Sequence, residues 1–344
     1  MTVRIRSLTL IALGAIAIVA CSGGEDDNSG APASATITIA SNPAGTHVYA
    51  VAAGIAKLIQ EDLGKRTTIV PFTGSSVYLP RLQRGDVALG LNTNIDGYLS
   101  FRGLPPYQAP MQNLRTLGMM FPLNIMFMVR GDSDLRRIED LRGRRVVVTF
   151  TANAALEQLH RGILATGGLS LEDIVPITVA GLPGAMAAVQ EGRADAAPTG
   201  LGTALSLQVD SALSGGIRYL TMGADEARLP EIMPGTRVIT IEPDDSSVGI
   251  PEAIRVSSVP DMLNTGVHMS DELAYAIVAT IHEGFETLRA ELPQLAGMTP
   301  DSLAPADNMH PYHSGAVRYL REAGLWTEAH EANQRALLAL AGEP

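Results

Sequence analysis

Cysteine occurs once in this chain, at Cys21, and lysine twice, at Lys57 and Lys65. One cysteine excludes an internal disulfide, and its place near the amino terminus leaves the rest of the chain without a thiol nucleophile. Arginines are scattered, with no basic cluster, and the formal net charge is -11, so nothing replaces the counterions of a nucleic acid. Three catalytic or nucleotide signatures are also missing: a nucleophile elbow, a P-loop, and a G-x-G-x-x-G turn after a strand. What remains is a chain of 344 residues, long enough for two lobes, since single cores stop growing near about 250 to 300 residues.

The amino terminus reads as an address. Arg4 and Arg6 precede an apolar stretch from Leu8 to Ala20, of signal-peptide length and too short to span a bilayer comfortably. It ends in Ile18-Val19-Ala20-Cys21, which resembles the lipobox of bacterial lipoproteins and implies lipidation of Cys21 and a lipid anchor to the membrane. Residues 1–20 are thus assigned as signal peptide and 21–35, rich in Gly, Ser, Asp and Pro, as a flexible tether.

The chain is organised around Thr67 to Asp96. A β-branched strand from Thr67 to Phe72 runs into Thr73-Gly74-Ser75-Ser76, a bend suited to capping the helix that follows. That helix is placed at Val77 to Arg84, with Pro80 in its first turn and Gly85 at its end. Asp86 to Leu91 reads as a strand covered on both faces, with a polar turn at Asn92 to Asn94. Upstream, Thr36 to Ala40 is a strand, and Ser41 to Thr46 is a second polar loop. Val48, Ala52, Ile55, Ile59 and Leu63 then recur at helical spacing. Ligands of parallel sheets sit at the carboxyl ends of strands, so these loops should share one crevice.

From Asp132 the pattern restarts. Val146 to Phe150 is a strand, Thr151-Ala152-Asn153 opens a helix to about Ala165, and Val189 to Ala197 repeats the plan of Leu82 to Ala88. Thr236 to Glu242 and Ala253 to Val259 read as strands, the second crossing back, with the chain crossings near Phe127 and Val256. The expected fold is α/β, a two-lobed clamshell with a two-segment hinge. Residues 36–127 with 257–344 make lobe I, and 128–256 make lobe II.

The segment from His310 to Leu325, HPYHSGAVRYLREAGL, with Ala44-Gly45-Thr46, Thr73-Gly74-Ser75-Ser76, Leu141 to Val146 and Gly192 to Ala196, resembles the TAXI family. Its members are solute-binding proteins of tripartite ATP-independent periplasmic (TRAP) transporters, and the resemblance implies that the two-lobed α/β clamshell is of the type II periplasmic-binding-protein kind. The resemblance implies a receptor without catalytic activity, cofactor or metal, lying outside the cytoplasm. It further implies a small anionic solute such as glutamate or 2-oxoglutarate and a membrane permease as partner. The chain departs from the family at Tyr78-Leu79, where a Glu-Asn pair is usual, and at Phe150 to Ala154, where a Gly/Ser-rich loop is usual.

Three helix starts, after Thr46, after Ser76 and after Asn153, would offer unpaired N–H groups to an anion. The ligand-binding candidates are therefore Gly45, Thr46, Tyr49, Thr73, Gly74, Ser75, Ser76, Asn92, Asn94, Thr151 and Asn153, with Tyr49 or Tyr78 covering a carbon chain. Arg130 is either a carboxylate clamp or a surface ion pair. Asp307, His310 and His313 have the best metal-like spacing, though loop histidines beside Pro311 fit backbone bonding better. A sensor docking on a signalling kinase is the alternative to a transport receptor, and a hydrolase would need a nucleophile or metal that the residues do not supply.

Overall fold

The computed structural model describes residues 36–243 and 248–343. Cys21, the apolar leader and the whole tether lie outside these residues. From Ala35 on the chain forms one compact unit. Among the described residues no helix is long and apolar enough to cross a membrane.

The first half opens with β1 (Ile37–Ser41), α1 (His47–Leu63), β2 (Thr67–Pro71), α2 (Ser75–Arg84), β3 (Leu89–Thr93) and α3 (Asn94–Arg102), then β4 (Leu114–Arg130). The second half has β5 (Arg145–Phe150), α4 (Ala154–Thr166), β6 (Val175–Val179), α5 (Leu182–Gln190), β7 (Ala196–Gly200), α6 (Ala204–Ala212), β8 (Ile217–Tyr219), α7 (Leu229–Ile232) and β9 (Arg237–Ile241). The chain returns through β10 (Ile254–Gly266) to α8 (Asp271–Glu283), α9 (Phe285–Glu291), α10 (Ser314–Glu322) and α11 (Glu328–Leu340).

All strands belong to one sheet ordered β2-β1-β3-β10-β4-β7-β5-β6, with β8 on β4 and β9 on β10. The β1–β2, β1–β3, β5–β6 and β5–β7 pairs are parallel, whereas β10 and β4 run antiparallel to each other and to their other neighbours. These two strands belong to both lobes. Over Asp261 to Asn264, β10 pairs with β3 of the first lobe, and over Ile254 to Ser258 with β9 of the second. The change of partner falls where Pro260 faces Pro122, a few residues from Phe127 and Val256. Neither proline donates to the ladder, and register shifts follow at Asp261/Met262 and Leu263/Asn264, so pairing is weakest at the crossing. Two apolar clusters flank it. One is built from β1, α1 and α8, the other from β5, β7 and α4.

Local structure differs from the sequence reading at several places. Helix α2 begins at Ser75, so Pro80 sits in the second turn and removes the N–H that would have reached Ser76 O. Strand β3 runs from Leu89 to Thr93, later than the apolar run from Asp86 suggested, and pairs in parallel only with β1. Thr93 and Asn94 do not form an open turn. Thr93 Oγ1 accepts from Asp96 N at 3.2 Å and caps α3, in a segment read as a polar turn followed by a surface excursion. Strand β10 continues seven residues beyond Val259, through Pro260 to Gly266.

Candidate functional site

Three loops at strand ends carry the site, each fixed by its helix cap. After β1, Gly45 adopts φ +87, a left-handed conformation that side chains rarely adopt, and brings Thr46 to the cap of α1. Thr46 Oγ1 accepts from Tyr49 N at 3.2 Å and donates to Pro43 O at 2.7 Å. Tyr49 N–H and Ala50 N–H are thereby taken, by Thr46 Oγ1 and Thr46 O, which leaves the first-turn N–H groups of His47 and Val48 to whatever lies beyond the helix end. After β5, Phe150 leads to Asn153 at the start of α4. After β7, Gly200 leads to Thr203, whose Oγ1 accepts from Ser206 N at 3.1 Å at the start of α6.

The lobes meet along two rims. On one rim His47 Nε2 donates to Gly202 O at 3.2 Å, and Leu205 packs against Gly45. On the other, the starts of α2 and α4 bond each other: Ser76 N donates to Ala152 O at 3.1 Å, Ala154 N to Ser76 Oγ at 3.0 Å, and Asn153 Nδ2 to Ser75 Oγ at 3.3 Å. Ser75 Oγ in turn donates to Asp96 Oδ1 at 3.0 Å, so a hydrogen-bond chain runs from α3 across the gap into the second lobe.

Between the rims lies a narrow cleft, open at its mouth, with about 60 Å³ of interior space. Pro43, Val48, Leu123, Ile125, Phe150, Leu156, Leu182 and Pro198 give it mostly apolar walls. Its polar lining is Asn42, Thr46, His47, Thr73, Asn153, His160, Thr199 and Thr203, and no Lys, Arg, Asp or Glu contributes. Helix starts border it at Thr46 to Val48, Asn153, Leu182 and Thr203 and supply partial positive charge in place of cationic side chains. Both histidines are held neutral. Burial pushes His160 down to about 4 and lowers His47 below its ordinary value, against the raising effect of their backbone carbonyl partners.

Of the sequence candidates, Thr46, Thr73 and Asn153 line the cleft. Gly45, Gly74, Ser75 and Ser76 build the rims. The α2 start is therefore engaged with the second lobe and does not stand open to an anion. Tyr49 does not line the cleft, and Thr151 is exposed with its N–H on Val179 O at 3.0 Å. Asn92 and Asn94 are buried elsewhere: Asn92 Oδ1 accepts from Asn264 Nδ2 at 2.9 Å, and Asn94 Oδ1 from Met309 N at 3.1 Å. Tyr78 is a core residue whose hydroxyl donates to Leu91 O, so it covers no ligand. Arg130 pairs with Asp132 at 3.2 Å on the surface.

The metal-like trio is occupied otherwise. Asp307 pairs with Arg237 at 2.8 Å, His310 Nε2 donates to Asn264 Oδ1 at 2.8 Å, and His313 bonds Met269 O and Gly315 N. Among the described residues no group of three side chains is placed to hold a metal ion.

Sequence reasoning missed Asn42, His47, His160 and the Pro198 to Thr203 segment, the end of β7 with the loop after it. The last could have been found by extending the rule used for the other loops, since Pro198-Thr199-Gly200 ends a small-apolar strand and Leu201-Gly202 leads from it to the cap residue Thr203.

Against known proteins, a family model described as the NMT1-like family matches residues 39–324. The chain belongs to the NMT1-like family. No curated protein matches its sequence. Among solved structures, this NMT1-like chain is similar to one titled as a periplasmic transporter, at 12% identity over 88% of this chain and 95% of that one, TM-score 0.52. An ancestral arginine-binding protein bound to arginine aligns at 14% identity over 76% of this chain and 98% of that one, TM-score 0.50. The alkanesulfonate-binding protein SsuA from Xanthomonas axonopodis pv. citri, bound to MOPS, aligns at 18% identity over 89% and 97%, TM-score 0.47. At such identities the likeness to the first two speaks for the fold: a two-lobed periplasmic-binding-protein architecture.

Proposed function

We propose that this NMT1-like protein is an extracytoplasmic solute-binding receptor that captures one small molecule between its lobes and releases it unaltered. The observation that carries the reading is the cleft itself: two lobes joined through β4 and β10, touching on both rims, with an interior of apolar walls and neutral polar groups. Nothing in the lining is arranged as a nucleophile with its base, whereas the helix starts are suited to holding an electron-rich head group such as a carboxylate. The resemblance to TAXI proteins supports delivery to a TRAP permease, and Cys21 supports attachment to the outer face of a membrane through lipid.

Native mass spectrometry of the purified protein tests the reading, with one small molecule per chain as the expected result. A solute that binds only the folded form also raises the melting temperature with concentration. An empty, unstabilised protein, or one that converts an offered metabolite, would end the proposal. Cys21→Ala should move the protein from the membrane to the soluble fraction without lowering its melting temperature; continued sedimentation with membranes would remove the anchor.

A further inference from the structure

The polar atoms of the cleft are unequally used. His160 Nδ1 lies 2.6 Å from Val148 O, and since a carbonyl only accepts, that nitrogen carries the proton. His47 Nε2 carries its proton for the same reason, toward Gly202 O at 3.2 Å. Neither ring is protonated near neutral pH, so each is left with one bare nitrogen, an acceptor: Nε2 of His160 and Nδ1 of His47. His160 is 1% exposed, and the little surface it shows belongs to the cleft that it lines. Asn42 lines the same cleft, and its Oδ1 is buried with no partner. A buried acceptor without a donor is costly, and a native fold keeps one where something else supplies the donor. The hydroxyl hydrogens of Thr46, Thr199 and Thr203 already point to Pro43 O, Gly200 O and Ser206 Oγ, so they do not compensate.

We infer that the solute donates at least one N–H or O–H hydrogen bond to the bare acceptors of Asn42, His47 and His160 and carries no second negative charge. Its acceptor head meets the free N–H groups of His47 and Val48, and its body is compact and apolar. A donor-bearing monocarboxylate or an uncharged amide-like solute fits this description. A dicarboxylate such as 2-oxoglutarate does not, because its second carboxylate would face acceptors with no cation to offset it. The inference rests on the receptor reading above and narrows the ligand class that the TAXI resemblance implies.

Thermal melts of the purified chain with 2-hydroxyisovalerate, L-valine and isobutyramide in one arm, and succinate and 2-oxoglutarate in the other, test it beside the identity of any co-purified solute. A donor-bearing solute should bind, and His160→Asn should weaken it by about tenfold or more, because Asn can keep a donor toward Val148 O but lacks the second ring nitrogen. Asn42→Leu is the second variant, expected to weaken binding as much while leaving the ligand-free melting temperature unchanged or higher. Stabilisation by the dicarboxylates, a co-purified dicarboxylate, or unchanged affinity in both variants overturns the inference and leaves the receptor standing. Binding in neither arm together with no co-purified solute removes the receptor reading, and the inference with it.

Discussion

Asp261 carries a buried carboxyl with no partner. It is 1% exposed, at the register shift beside the Pro122 and Pro260 crossing, and neither carboxyl oxygen has a hydrogen-bond partner. Burial, reinforced by the nearby Asp96, holds its proton on well above the usual carboxylate range. A carboxyl whose folded value is raised binds more protons folded than unfolded above about pH 3.9, so its contribution to stability falls as pH rises. Asp261→Asn should therefore match the parent near pH 4 and exceed it at pH 8, by about 1 to 3 kcal/mol in denaturant melts. A gap of constant size at both pH values would show that the burial is not what matters. His160 works with the opposite sign. Its folded value is lowered to about 4, so stability is complete above about pH 6.5 and is lost as pH falls toward 4, up to about 3 kcal/mol in all. In His160→Asn that part of the acid limb should flatten, which melts between pH 4 and pH 7 would read.

At the level of elements, the starts of α2 and α4 bond each other across the second rim. Removing the Ser76 hydroxyl leaves Ala154 N–H without its partner at 3.0 Å, so Ser76→Ala should weaken solute binding by about 0.5 to 1.5 kcal/mol with little change in the ligand-free melt. Undiminished affinity in a titration would place the closing contacts elsewhere. These helices and the parallel strands were legible because their apolar residues recur at a clear period, as in Val48, Ala52, Ile55 and Ile59 of α1. Helix α3 was not. Asn94, Ile95, Asp96, Gly97, Leu99, Ser100 and Phe101 are all buried, so it shows no polar face against which an apolar one could be read. Strand β10 was only half seen for a related reason. Ser257, Ser258, Asp261, Asn264 and Thr265 are polar and buried, which no pattern of alternation announces. The site divides in the same way. Cap residues and strand-end loops identify themselves by chemistry, but whether Ser76 faces a ligand or the opposite lobe depends on how far the lobes close, and His160 reaches the cleft only through the packing of α4 on β5.

On the receptor reading proposed above, the lobes would close about β4 and β10, and Gly74 offers a way to separate closing from folding. Its φ of 178 is extended backbone that any residue adopts, so an added methyl strains nothing locally. The atoms that a Cβ would overlap, Ala152 O and the Asn153 side chain, belong to the second lobe. Gly74→Ala should consequently leave each lobe and its core intact while holding the second rim apart. The bonds from Ser76 N to Ala152 O and from Asn153 Nδ2 to Ser75 Oγ would then be lost together, about 1 to 3 kcal/mol of closure, or roughly a five- to hundredfold loss of affinity. Small-angle scattering should show the variant staying more open than the parent when solute is added, with an unchanged ligand-free melting temperature. If the variant bound and compacted as the parent does, the contact of α2 with α4 would be incidental and closure would rest on the rim between His47 and Gly202. A variant that unfolded would show that the two lobes are a single cooperative unit, in which the rim cannot be loosened without losing the fold.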